Sequence, residues 1–115
     1  MQIITEKINL AELQQMSEKM YGGLVKAVVD VEKGEMALDA DMHADLEQIM
    51  LENGSEQKDL WGINLYPEFL GAGNFVEFDS MINIRPKQNN RSRNVEDEAI
   101  RKRIIEIVNK FVKSN

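Results

Sequence analysis

The run Leu24-Val25-Lys26-Ala27-Val28-Val29-Asp30-Val31 constrains this chain more than any other segment. Branched side chains such as valine fit an extended backbone and crowd a helix. Glu32-Lys33-Gly34 follows, with glycine where a tight turn needs positive φ. Glu35-Met36-Ala37-Leu38-Asp39-Ala40 then returns with clean alternation. The chain must build a sheet around this hairpin. Alternation, in place of an unbroken apolar run, predicts that one sheet face is covered and the other is wet.

Helices flank the hairpin. Asn9 can cap a first helix with Glu12 three positions on, and Ile8 and Leu13 are spaced as a hydrophobic staple. Leu10, Leu13, Met16 and Met20 recur at helical spacing until Gly22-Gly23 stops them. Residues 41–54 carry Leu46, Ile49 and Met50 at the same spacing, with Asp41 available as a cap. Asn53-Gly54 is also a hairpin signal, but Glu47, Gln48, Met50 and Leu51 favour helix. A third helix is marked from about Val95 to Val112 by Ile100, Ile104, Ile107, Val108 and Phe111.

Three further segments read as strands. Residues 2–8 alternate weakly, and Trp61 to Tyr66 sets Trp61, Ile63 and Leu65 on one face with Asn64 and Tyr66 on the other. Phe75 to Arg85 is the longest strand candidate, stopped by Pro86. The order β-α-β-β-α-β-β-α predicts a two-layer α+β fold. Its mainly antiparallel sheet has four to five strands, and three helices pack on one face.

At 115 residues the chain suits one domain, 1–115, large enough to fold around its own core. It contains no cysteine, which excludes disulfides, thiolate metal sites and cysteine catalysis. No apolar run approaches the roughly 20 residues that span a bilayer, and the first residues lack a signal-peptide pattern. A cytoplasmic protein, with no membrane partner, is the expectation. The net charge of −6 argues against general binding to nucleic acid.

Counting by twos along 75–85 predicts what the wet face carries. Val76, Phe78, Ser80, Ile82 and Ile84 turn inward, and Phe75, Glu77, Asp79, Met81, Asn83 and Arg85 turn outward. Asn64 and Tyr66 join the outward set, so Glu77, Asp79, Asn83, Asn64 and Tyr66 form a candidate open-face site. Lys26, Asp30, Glu35 and Asp39 share that face if the hairpins keep register. Glu77 and Asp79 stand roughly 7 Å apart on one face. With Asp30 or Asp39 they could hold a hard cation or divide acid and base roles. A wet face studded with charge gives the same spacing without function.

From Arg85 to Arg93 there are four bases and no acid. Arg85, Lys87, Asn90, Arg91 and Arg93 make this loop a candidate anion site, because guanidinium forks and amides suit phosphate or carboxylate. Glu96, Asp97 and Glu98 compete for the same bases. His43 with Glu47 is an i, i+4 pair, yet a lone histidine near a helix start reads as a surface residue. No phosphate loop, dinucleotide fingerprint or nucleophile elbow occurs, so no cofactor or metal is implied.

Several segments taken together resemble an uncharacterised family of small bacterial and archaeal proteins, a domain of unknown function. They are Lys26 to Gly34, His43-Ala44-Asp45, Gly54-Ser55, Asp59-Leu60-Trp61-Gly62, Phe78 to Pro86, Asn90-Arg91-Ser92 and Val95-Glu96-Asp97. The resemblance spans nearly the whole chain. It implies a prokaryotic one-domain protein and carries no catalytic residue, substrate or cofactor. The sequence reading is a small binding or regulatory protein that uses the open face and the basic loop. A long edge strand at 75–85 makes a homodimer a natural partner arrangement. The alternative is a metal-dependent hydrolase or phosphate-handling enzyme built on the strand carboxylates.

Overall fold

The computed structural model describes residues 1–113. Five strands form one antiparallel sheet: β1 (Gln2–Ile4), β3 (Val25–Asp30), β4 (Glu35–Leu38), β5 (Leu60–Leu65) and β6 (Val76–Glu77). Their spatial order is β1-β4-β3-β5-β6. A separate two-residue parallel pair joins β2 (Ile8–Asn9) to β7 (Val112–Lys113). The helices are α1 (Leu10–Ser17), α2 (His43–Glu52) and α3 (Glu98–Phe111). The α+β class, the antiparallel sheet and the element order therefore follow the sequence reading.

Local signals explain the elements. Asn9 caps α1 by accepting from the Glu12 amide at 2.9 Å, and the Glu12 carboxylate returns to the Asn9 amide at 3.5 Å. Gly34 closes the β3–β4 hairpin at φ 70°, a conformation that costs glycine little. Asp30 braces the same turn, its carboxylate accepting from the amides of Glu32 and Lys33 and from the Ser55 hydroxyl at 2.6 Å. The cap expected at Asp41 does not form, since α2 begins after Met42 without a side-chain cap.

The helices divide between the two faces, which corrects the expectation that all three share one. Ala27, Val29, Met36, Leu38, Trp61, Ile63 and Leu65 pack with Leu13 and Met16 of α1 and with Ile104, Ile107, Val108 and Phe111 of α3. Val28, Ala37 and Leu60 point the other way and pack with Leu46 and Met50 of α2. The central strands are apolar on both sides because both sides are covered. Val28 beside Val29, and Ala37, whose small side chain passes for a polar position between Met36 and Leu38, are apolar residues of that second face.

The largest departure lies at 75–85. Only Val76 and Glu77 pair with β5, opposite Leu65 and Asn64. The chain then leaves the sheet, and Met81–Asn83 forms a 3-10 turn. Phe75 is buried and Ile84 exposed, the reverse of the period-two assignment. Gly62 is the reason for the crossing: an added Cβ there would lie 2.6 Å from the Ser80 side chain. Beyond β6, side chains close the edge of β5. The Asn83 carboxamide accepts from the Gly62 amide at 2.8 Å and donates to the Gly62 carbonyl at 2.9 Å. The Arg85 guanidinium donates to the Leu60 carbonyl at 2.6 Å and lies 4.1 Å over the Trp61 ring. The long pairing edge anticipated for a homodimer is therefore two residues long.

Candidate functional site

Roofing by α2 and by residues 80–84 leaves no open sheet face. What remains of the polar row is gathered at the β6 edge. Register puts Glu77 opposite Asn64, and the Asn64 amide donates to Glu77 Oε1 at 2.8 Å. The Tyr66 hydroxyl donates to the same oxygen at 2.9 Å. Burial first, and then the Glu77 carboxylate, raise the Tyr66 hydroxyl above its ordinary pKa, so it stays a donor near neutral pH. None of the ion pairs among the described residues involves Glu77. Two neutral donors thus fix a carboxylate that forms no ion pair among the described residues.

Asp79 behaves differently. Arg93 Nε donates to its carboxylate at 2.6 Å, joining the strand end to the loop before α3. This pair forms one wall of a cleft of about 820 Å³ that also includes Tyr66, Phe69, Glu77 and Arg101. The rings of Tyr66 and Phe69 lie 6.0 Å apart and are tilted by 45°. Arg101 sits 4.5 Å over the Phe78 ring, where the π face attracts its charge. The cleft therefore offers a fixed carboxylate, aromatic faces and two guanidinium groups.

Of the open-face candidates, Glu77, Asp79, Asn64 and Tyr66 converge. Asn83 does not, because it is wholly buried against Gly62 and the Arg93 carbonyl. The anion-loop residues scatter. Arg85 is spent on the β5 edge, and Asn90 holds the carbonyls of Asn83, Ser92 and Asn94 from a buried position. Lys87 and Arg91 are exposed, and Arg93 faces Asp79. The loop's own anion position is filled from within: the Glu96 carboxylate accepts from the amides of Arg91 and Ser92 and from the Ser92 hydroxyl at 2.8–2.9 Å.

Those bonds, the Ser92 hydroxyl first, hold the Glu96 carboxyl below its ordinary value of 4.5. A carboxyl with a lowered native pKa adds stability above its unfolded value and loses it as pH falls through the native one. The stability advantage of wild type over Glu96→Gln is therefore expected to be full at neutral pH and to vanish in acid. Urea midpoints of both proteins across that range check this, and a gap that persists in acid contradicts it.

The carboxylate set needed for a metal does not assemble. Asp30 is engaged by Ser55 and the hairpin turn, and Asp39 pairs with Lys19 at 3.3 Å. Among the described residues no group of three or more His, Asp or Glu could hold a metal ion. His43 corrects the sequence reading: it is 8% exposed, and its Nε2 lies 2.8 Å from the Ile63 carbonyl. A signal for this was available, because positions 43, 46 and 50 share one helical stripe.

Fold and cleft together define a small α+β domain with a polar concavity at one edge of its sheet. The chain belongs to the family described as protein of unknown function (DUF5674), whose family model matches residues 2–111. No curated protein and no solved structure matches it. Among the described residues no helix is long and apolar enough to cross a membrane.

Proposed function

We propose that this chain is a small binding protein whose cleft at the β6 edge takes an organic cation, an amine or a guanidinium. One observation carries the reading: Glu77 is held by Asn64 and Tyr66 without a neutralising partner. A carboxylate positioned beforehand by neutral donors is ready to receive a charged N–H group, and such charge-assisted bonds are the strong ones. Phe69 and Tyr66 add ring faces that favour the same charge. Arg93, with only Nε committed to Asp79, leaves its terminal nitrogens for an anionic tail on the ligand. Binding, in place of turnover, fits a cleft in which Glu77 and Asp79 each have a positioning partner.

Titration with agmatine, followed by amide NMR, tests this. Saturable shifts are expected at Tyr66, Glu77 and Asp79. Glu77→Gln keeps a hydrogen-bonding oxygen but loses the charge, and it is expected to weaken binding by about tenfold or more. Equal affinity in both proteins, or no saturable shift in wild type, counts against the cation reading.

A further inference from the structure

We infer that a second, smaller chamber on the inner side of the Asp79–Arg93 pair binds a protonated oxyanion of single negative charge, with bicarbonate and dihydrogen phosphate as the simplest members. The chamber has a volume of about 180 Å³ and is lined by Lys26, His43, Asn64, Asp79, Ser80 and Arg93 among others. At about 30 Å³ per liquid water it has room for a small polyatomic ion. Asp79 and Arg93 line both this chamber and the outer cleft. The inference does not depend on the reading of Glu77.

The first observation is an orphaned acceptor. Asn64 is 6% exposed, and its amide nitrogen donates to Glu77 and to the Asp79 carbonyl at 3.3 Å. Both partners only accept, so the orientation of the carboxamide is fixed. Its Oδ1 is buried and has no hydrogen-bond partner. Buried acceptors are almost always satisfied, and this one belongs to a side chain that lines the chamber, so its missing donor is one the folded chain does not supply.

The second observation is a lone pair. The Ile63 carbonyl can only accept, so His43 Nε2 carries the ring proton and Nδ1 is left as an acceptor. Burial lowers the imidazole pKa, which keeps the ring neutral at ordinary pH. Charge supplies the third. Lys26 lies opposite Asn64 across β3 and β5, and it forms no ion pair among the described residues. Asp79 offsets Arg93, so the chamber retains the one positive charge of Lys26.

These demands select the ligand. A monoanion answers Lys26, and an O–H on that anion answers Asn64 Oδ1 or His43 Nδ1. Acetate and nitrate have the charge without the proton. Water has the proton without the charge. A metal cation would meet Lys26 and Arg93.

The test is an NMR titration of ¹⁵N-labelled protein with bicarbonate, phosphate, acetate and nitrate at matched ionic strength. The His43 ring nitrogens and the Asn64 side-chain amide are the reporters. Bicarbonate or phosphate is expected to shift both saturably, and acetate and nitrate to bind at least about tenfold more weakly. Whichever protonated ion binds tighter identifies the source. Lys26→Met should weaken binding by about tenfold with the fold intact by amide dispersion, and Lys26→Gln serves if the methionine variant fails to fold. Equal binding of acetate or nitrate would make the chamber an unselective cationic patch, and no response to either protonated ion would leave it a water pocket. Either result overturns the inference.

Discussion

Replacing Asn83 with alanine is expected to lower the free energy of unfolding by about 3 kcal/mol or more. Asn83 is fully buried and its carboxamide satisfies three main-chain groups: the Gly62 amide, the Gly62 carbonyl and the Arg93 carbonyl. Truncation leaves both Gly62 groups without that partner, while the Arg93 carbonyl keeps the Ser80 amide. Each buried, unpaired polar group costs on the order of 1–3 kcal/mol, reduced where water enters the gap. Asn83→Asp sharpens the test. It keeps the acceptor for the Gly62 amide but turns the donating nitrogen into an oxygen that faces two carbonyls, so its loss should match or exceed that of alanine. Urea denaturation with unchanged slope measures both. A loss below about 1 kcal/mol for alanine would mean that Asn83 does not close the β5 edge.

Gly62→Ala is expected to cost about 2–3 kcal/mol by overpacking. The added Cβ would meet Ser80 Cβ and Oγ at 2.6 Å and Ile82 Cγ1 at 3.1 Å. Ser80 is buried and its amide is bound to the Arg93 carbonyl, so its backbone cannot retreat freely. The double variant Gly62→Ala with Ser80→Gly removes the clashing atoms and should recover part of the loss. Such coupling between touching residues is what a double-mutant cycle detects. Additive losses would show that residues 80–84 do not press on the strand at Gly62.

Much of the fold was legible because its signals are local. The β3–β4 hairpin follows from valines and one glycine, α1 from Asn9 and Glu12, and α3 from an apolar stripe that Asp97 caps. What period-two counting could not show was where a strand stops. Phe75 to Arg85 alternates well enough to read as extended, but the close approach at Gly62 is a contact between segments distant in sequence. The paired apolar residues Val28-Val29 gave the clue that a second helix layer lies behind β3, and alternation elsewhere outweighed it.

The candidate site was legible in part for the same reason. Asn64, Tyr66 and Glu77 lie on segments whose register is right up to Glu77, so they meet as counted, whereas Asp79 lies past the strand and is held to them by the Asn64 amide. Asn83, Arg85 and Asn90 looked like ligand-binding residues because amides and guanidinium groups bind ligands and main chain by the same chemistry. Only their partners distinguish the two uses, and those partners are up to 28 residues away, for Arg85 and Gln57. His43 was missed because histidine is usually exposed, although its helical stripe is the buried one.

The way β5 ends has a bearing on engineering. Beyond β6 that strand is sealed by an amide and a guanidinium, and the hairpin-like turn at 86–89 is clasped where Arg85 and Asn90 exchange backbone hydrogen bonds, with Gln88 tied to the Lys58 carbonyl at 3.0 Å. A peptide spliced into that turn would be displayed on a rigid stem with the ladder beneath it undisturbed. The scaffold thus has a natural grafting position that is independent of both concavities.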